Sequence, residues 1–470
     1  MKSKIFFIQA FFVLLGLSSC QSDDADVSQP FVAAFASESY NLAEIPTEKP
    51  ITLVFSEVAT TDGTVTIQAE ATNAAYKTDF ETVPSAENGT FTLPFTAGQK
   101  EITFVYKNNI PLPFDEDDQL KSIRFKIVKI EYGLQSNIQG FTTMQVQFGA
   151  SLGAVLKPET GGPNQGNQVY IDLSTELMTL SRRDVWDLGF YSGEEFRVVI
   201  NGSLYMAVKA LETTDIDAVS PASVQPFLAG VAVGTFDPVN ANYIDAPNGM
   251  ITQTAISEIS ADPNANKVYL VNMGYEIGNT VPPVGSVAVA GNSRGWKKIR
   301  ITRNGDGYQM EYADLNSTTH NTLRISKRDA YNFNFFSMKT NSIVAVEPEK
   351  AKWDLNFTVF TNEIVGSGSY GYSDFVVNNL KAGVKVYRVN STNPLAFSAF
   401  SKANIDDSKF TDDQRIIGAD WRDVFTGSAA TDRFYILKDV DGNYYKIRMT
   451  AFVNEGGVRG YPQFEYKLVQ

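Results

Sequence analysis

From Pro30 to about Ala150 apolar and polar residues alternate with a period of two and leave no helical stripe. Ile51-Thr52-Leu53-Val54-Phe55, Thr64-Val65-Thr66-Ile67, Glu101-Ile102-Thr103-Phe104-Val105-Tyr106 and Ile123-Arg124-Phe125-Lys126-Ile127-Val128 are the clearest runs. This spacing turns one face of a strand to a core and the other to water. Gly, Asn, Asp and Pro separate the runs, as strand ends require. About seven of them over residues 31–150 predict a β-sandwich.

From 169 onward the alternation returns and the pattern itself repeats. Val185-Trp186-Asp187-Leu188-Gly189-Phe190 recurs as Lys352-Trp353-Asp354-Leu355-Asn356-Phe357, and each is followed by an apolar strand ending in asparagine, Phe196 to Asn201 and Phe375 to Asn378. The tryptophans are 353 − 186 = 167 residues apart, which is too long for a solenoid repeat and suits a duplicated domain. The closing strands repeat as well. Trp296-Lys297-Lys298-Ile299-Arg300-Ile301-Thr302 matches Tyr444-Tyr445-Lys446-Ile447-Arg448-Met449-Thr450, and Tyr308-Gln309-Met310-Glu311-Tyr312 matches Pro462-Gln463-Phe464-Glu465-Tyr466. Asp441-Gly442 between two alternating strands signals a hairpin. The turn at Asn304-Gly305-Asp306-Gly307 sits one strand later in its copy. We therefore expect two copies, 169–335 and 336–470, after a linker at 151–168 whose Thr160 to Gln168 stretch has three glycines, one proline and no large apolar residue.

With 470 residues, 43% of them apolar and 12% aromatic, the chain can bury several cores. The amino terminus adds a compartment. Lys2 and Lys4 precede an apolar run from Ile5 to Leu17 that is too short to span a bilayer, and Leu17-Ser18-Ser19-Cys20 follows. This resembles the lipobox of bacterial lipoproteins, which implies a signal peptide over 1–20 and lipidation of Cys20. Cys20 is the only cysteine, so no internal disulfide can form. Residues 21–30 read as a tether, and Asp23, Asp24 and Asp26 resemble a surface-export signal. The expected location is the outer membrane, lipid-anchored and exposed at the surface. Loss of Lys2 and Lys4 takes the formal charge from −13 to −15, which argues against nucleic acid as a partner.

Two family resemblances rest on these residues. Thr78-Asp79-Phe80, the strand from Leu93 to Ile102 with its Ala97-Gly98 kink, and Asp115-Glu116-Asp117-Asp118 resemble a Calx-β domain over residues 31–150. That resemblance implies Ca²⁺ as a possible ligand of Asp79, Asp115, Asp117 and Asp118, since calcium takes six to eight oxygens. An acidic loop that is merely solvated, in a domain that spaces the rest from the membrane, is the competing reading. Second, the Val169-Tyr170-Ile171-Asp172-Leu173-Ser174 opening, the Trp-Asp-Leu strands and the closing Tyr435-Ile436 to Ile447 hairpin resemble the HmuY-like haem-binding surface lipoproteins. The resemblance covers 169–470. It implies an all-β fold, an N-terminal sandwich followed by two HmuY-like antiparallel β modules. It also implies haem taken from host haem proteins and passed to a TonB-dependent outer-membrane receptor.

Haem iron needs axial ligands and an apolar slot. The resemblance places those ligands between the asparagine-ending strand and the closing strands. In the first copy this segment, Leu204 to Asn266, has no histidine and two methionines, Met206 and Met250. In the second copy, Leu380 to Thr431 has neither residue type, and its Tyr387 and Trp421 read as core. Core packing is the ordinary use of methionine. The alternative function is therefore a surface lipoprotein that binds a protein or glycan partner without haem. No catalytic constellation emerges: the single His320 lies in a polar turn, and Gly366-Ser367-Gly368-Ser369-Tyr370-Gly371 precedes a strand rather than opening a helix.

Overall fold

The computed structural model describes residues 31–42, 45, 47–110, 121–133, 136–147 and 151–469. The chain is all-β: an N-terminal sandwich is followed by four larger antiparallel sheets and two two-stranded ones, 275–277 with 290–293 and 422–423 with 428–429. The sandwich has two five-stranded sheets, ordered 80–83, 101–108, 48–55, 31–35, 136–138 and 39–41, 143–147, 122–132, 63–72, 90–95. The alternating residues of the sequence form its core, with Phe31, Leu53, Phe55, Phe95, Phe104, Tyr106 and Phe125 buried.

The four larger sheets form two halves. A split half is built from both ends of the region. Its inner sheet runs 177–182, 167–172, 355–364, 368–378, and its outer sheet runs 153–156, 459–468, 444–453, 433–438, 385–390. A contiguous half lies between those ends. Its inner sheet runs 198–200, 188–191, 333–337, 342–344, and its outer sheet runs 207–210, 268–272, 296–304, 307–314, 321–325. Each half has its own core. Val169, Ile171, Leu355, Phe357, Trp421 and Phe464 fill the first, and Leu188, Phe190, Val271, Ile299, Met310 and Phe336 fill the second. The other faces of the inner sheets meet in a third core of Tyr170, Trp186, Phe333, Phe335, Val346 and Trp353. Period two explains the division, because Val169 and Ile171 point to the outer sheet while Tyr170 points across to the other half.

The repeat leaves open whether the two copies fold separately or share a sheet, and the pairing shows shared sheets. Val169, Tyr170 and Ile171 pair with Phe357, Asn356 and Leu355 of the second copy. Reciprocally, Leu188, Gly189 and Phe190 of the first copy pair with Phe336, Phe335 and Asn334 of the strand 333–337, which precedes the second Trp-Asp-Leu block as 167–172 precedes the first, so the second copy opens at Phe333 and not at Phe336. The copies have exchanged their opening strands. The aspartates lock the exchange: Asp354 accepts the Leu173 N–H at 2.8 Å, and Asp187 accepts the Met338 N–H at 2.6 Å. Asp187 also pairs with Arg294 at 2.6 Å, a partner for which Asp354 has no equivalent among the described ion pairs.

Residues 153–156, expected within the linker, are a strand instead, Gly153 pairing with Lys467 and Leu156 with Phe464. The glycine-rich stretch after it is a packed corner. A Cβ on Gly460 would lie 1.9 Å from the Gly162 carbonyl oxygen, so only glycine lets the two backbones meet. Edge bonds tie the sandwich to this strand: the Leu152 N–H donates to Ser39 Oγ at 2.7 Å, and Glu38 N–H to the Gly153 carbonyl at 2.9 Å.

Candidate functional site between the two halves

A cavity of about 180 Å³ opens where the inner sheets face each other. The repeated asparagine builds its walls. In the first copy the Asn201 side chain donates to the carbonyls of Arg183 (2.7 Å) and Trp186 (2.8 Å), and it caps the turn Gly202–Leu204 by accepting the Ser203 N–H. Tyr205 then takes a left-handed conformation with φ 62°, and the next residue is Met206. In the second copy Asn379 donates to the carbonyls of Lys350 (2.8 Å) and Trp353 (2.9 Å) and caps Leu380–Ala382. Gly383 is left-handed there, and Val384 follows. The structural counterpart of Asn201 is therefore Asn379, one residue beyond the Asn378 that ends the strand. Val384 stands where the first copy has Met206, and Lys381 stands where it has Ser203.

Met206 and Met250 both line the cavity, together with Trp186, Trp353, Tyr170, Phe333, Phe335 and Phe360. Met206 is fully buried, whereas Met250 is 38% exposed at the start of a short 3-10 turn, Ile251–Gln253. Three charged residues that sequence reasoning missed also line it, Asp245, Glu347 and Lys381. Burial pushes the Asp245 carboxyl up to about 6, against the Ile200 and Ala255 N–H groups it accepts at 2.8 and 2.9 Å. Burial likewise pushes Glu347 up to about 7, against the Phe333 N–H at 3.0 Å and nearby Lys381. The Lys381 ammonium is pushed down by the same desolvation. It donates to the Gly249 carbonyl (3.2 Å) and to Gln414 Oε1 (3.3 Å). The one usable signal for Lys381 was its place in the turn after the second asparagine.

The other expected residues lie apart from this cavity. Asp79 is buried in the sandwich, paired with Lys121 at 2.8 Å and accepting the Ala75 N–H at 2.7 Å. Asp115, Asp117, Asp118 and Cys20 lie outside the described residues. Among the described residues no three His, Cys, Asp or Glu side chains are grouped to hold a metal ion, and no helix is long and apolar enough to cross a membrane. His320 is a surface residue, with Nδ1 3.1 Å from Asp217. Tyr387 and Trp421 are buried core residues.

The donor set suits haem: two thioethers share one aromatic-walled cavity. The enclosed room alone does not suffice. A sealed cavity of ~150 Å³ takes up a benzene-sized molecule, so about 180 Å³ holds one ring, and a tetrapyrrole would extend through the open side where Met250 is partly exposed. The segment 244–254, which carries Met250 on turns, forms one wall of the cavity. It is pinned by Gln414, whose N–H donates to the Asn248 carbonyl and whose Nε2 donates to that of Pro247, both at 3.0 Å.

With this geometry in place, comparison with known families is decisive. The HmuY protein family matches residues 164–466, a single match that spans both copies. This chain belongs to the HmuY family. The exchanged strands agree with the one continuous match, because neither half of the HmuY region is complete within one copy of the repeat. No curated protein matches the chain. Among solved structures, the apo CBD1 domain of Calx is 16% identical, covering 26% of this chain and 96% of its own, with a TM-score of 0.20. The calcium binding domain CBD12 of Calx is 10% identical, covering 60% of this chain and 79% of its own, with a TM-score of 0.20. A "putative lipoprotein" from Bacteroides fragilis NCTC 9343 is 11% identical, covering 67% of this chain and 89% of its own, with a TM-score of 0.15.

Proposed function

We propose that this HmuY-family chain is a lipid-anchored binding protein of the outer-membrane surface, without catalytic activity, that captures haem for a TonB-dependent receptor. The carrying observation is that Met206 and Met250, 250 − 206 = 44 residues apart and chosen from nine methionines, line one aromatic-walled cavity. Met206 and Met250 would hold the iron, and Trp186, Trp353, Phe333 and Phe335 would exclude water from the ring. Haem supplies an iron that accepts two thioethers. Met250 lies on the segment 244–254 that Gln414 holds in place, so that segment would set how far Met206 and Met250 can open to a ring. The N-terminal sandwich, with Asp79 tied to Lys121 rather than free for calcium, serves as a spacer between Cys20 and the binding halves.

The test is a Soret titration of the whole mature chain under oxidising and reducing conditions. A saturable band that shifts or disappears in Met206→Leu and Met250→Leu is expected. Absence of any band in the wild type, or an unchanged band in both variants, refutes haem ligation by this pair. The anchor is tested separately, since Cys20→Ala should release the chain from the membrane fraction.

A further inference from the structure

Three charged side chains line the cavity between the halves, and they are held differently. Both carboxylate oxygens of Asp245 accept backbone N–H groups, from Ile200 and Ala255, and Glu347 accepts that of Phe333. Lys381 has neutral partners only, the Gly249 carbonyl at 3.2 Å and Gln414 Oε1 at 3.3 Å. Those bonds are long for an ammonium, which has three protons to place. No ion pair among the described residues includes Lys381, and a cation withdrawn from bulk water without a counter-ion is costly. Lys381 is partly exposed and lines the cavity, so a ligand there can reach it.

The walls decide what carries the counter-charge. Trp186, Trp353, Phe333 and Phe335 are flat and apolar, and the Lys381 ammonium stands 5.8 Å from the centroid of the Phe333 ring. A ring packed against Phe333 therefore brings a group on its edge close to that ammonium. A phosphate ester would carry a second charge with no partner, because Lys381 is the only cation on these walls among the described residues. A neutral alcohol would leave Lys381 uncompensated. A monoanionic carboxylate on a flat ring meets both limits.

We propose that Lys381 anchors a ligand carboxylate borne on an aromatic ring, which lies among Trp186, Trp353, Phe333 and Phe335. This anchor does not rest on iron ligation by Met206 and Met250. Two sources carry its chemistry: a single-ring aromatic acid held inside, and a porphyrin reaching in from the open side with one of its carboxylates. The acids make the anchor pH-dependent. Burial pushes Asp245 up to about 6 and Glu347 up to about 7, pushes Lys381 down, and keeps the Tyr170 phenol neutral. No other titratable side chain lines the cavity among the described residues. Below about 6 both acids are protonated, and the ligand carboxylate is the only counter-ion and holds the proton on Lys381. Above about 7 both acids are ionised, offset Lys381 themselves and repel the ligand. Binding tightens as pH falls, with proton uptake.

Benzoate is the probe, titrated into the whole mature chain at about pH 5.5 while indole fluorescence is followed, with benzamide as its neutral twin. One saturable site is expected, with benzamide at least about tenfold weaker for want of the charged contact. Raising the pH to about 8 should weaken benzoate about tenfold or more and leave benzamide within about twofold. Lys381→Met should do the same at the lower pH. The wild-type comparisons of the twins and of the two pH values need no variant to fold. Metal-free protoporphyrin separates the sources, since it offers carboxylates without iron. Protoporphyrin binding that weakens in Lys381→Met assigns the anchor to a porphyrin, and benzoate binding alone assigns it to a single-ring acid. The proposal is overturned if neither probe binds in a manner that needs Lys381, if benzamide matches benzoate, or if benzoate binding is indifferent to pH. Benzoate binding with no Soret band on adding haem removes haem capture and leaves this anchor standing. A Soret band unchanged in Lys381→Met, with no benzoate binding, does the reverse.

Discussion

Asp187 and Asp354 occupy the same place in the repeated block, yet their replacement by asparagine should have opposite consequences. Asp187 is fully buried, accepts the Met338 N–H at 2.6 Å and pairs with Arg294, whose side chain is 13% exposed. Asp187→Asn puts an amide donor against the guanidinium or the N–H and removes the counter-charge. Breaking a buried pair from one side costs about 3–5 kcal/mol, and the residual exposure of Arg294 sets the expectation at the lower end, ~3 kcal/mol. Asp354 is buried without a cation. Burial, with Asp172, Asp439 and Asp441 nearby, holds its carboxyl well above the usual carboxylate range. Its single backbone bond, from the Leu173 N–H, survives in an asparagine. Asp354→Asn should therefore change stability by less than about 1 kcal/mol near neutral pH, or raise it. The sign follows from the raised folded value: the native state favours the protonated form, so wild-type stability falls as pH rises from the unfolded value toward the folded one. Asp354→Asn should lose that decline. All four tryptophans, Trp186, Trp296, Trp353 and Trp421, lie in the HmuY region. Denaturant unfolding followed by indole fluorescence thus reports on this region without the sandwich. Equal losses in the two variants, or a larger loss in Asp354→Asn, would refute the asymmetry.

Other expectations concern single buried groups. Glu176 bridges the sandwich and the HmuY region, accepting the hydroxyls of Ser37 and Ser151, and burial pushes its carboxyl up to about 7. Stability should fall as pH rises between about 4.5 and 7, and Glu176→Gln should flatten that slope in pH-dependent melting curves. Arg183, 1% exposed, donates to the carbonyls of Gln165 (2.8 Å), Ser203 (2.5 Å), Asn164 (3.5 Å) and Val289. Arg183→Met strands several buried acceptors and should cost at least about 3 kcal/mol by denaturant titration; a loss under 1 kcal/mol would refute the clamp. Gln414→Ala frees segment 244–254 from two of its bonds and should speed haem uptake in stopped-flow mixing, if that segment is the entry.

The residues that were legible in the sequence share one property: their environment differs between their two faces. The sandwich strands alternate, and in the Ile299 and Ile447 strands the apolar face follows the period while Lys298 and Lys446, expected in water, are buried with their ammonium groups on backbone carbonyls. Phe333–Ser337 does not alternate, because both its faces are buried, and this opening strand of the second copy was missed for that reason. Gly153–Leu156 is four residues beside a glycine-rich stretch, too short for a periodic signal. Lys381 was missed because the sequence reading took Asn378 as the repeated asparagine where the structure uses Asn379, and one residue of register decides which side chain enters the cavity. The exchange of strands had no local trace at all. Either copy's opening strand has the pattern that either Trp-Asp-Leu strand needs, and the choice is made by chain connection and packing.

That choice makes a prediction about where the HmuY region can be cut. The sequence repeat suggests 169–335 as a unit, but this fragment carries a strand, 167–172, whose partner at 355–364 is missing. It also lacks Phe336 and Met338, which belong to the core of its own Trp-Asp-Leu strand. The structural unit is 184–346. It contains both sheets of the contiguous half and every buried residue of its two cores. It leaves bare the face of Trp186, Phe333 and Phe335 that meets the split half, frees Gly202 and Asn240 from Thr361 and Ser369, and loses the Arg183 bonds to Ser203 and Val289. Expressed alone, 184–346 should show cooperative unfolding by fluorescence and circular dichroism, with a tendency to self-associate through the bared aromatic face. The fragment 169–335 should be unfolded or aggregated. Cooperative folding of 169–335 as a monomer would mean that its opening strand can close on its own copy, and the exchanged pairing would then not be what holds the two copies together.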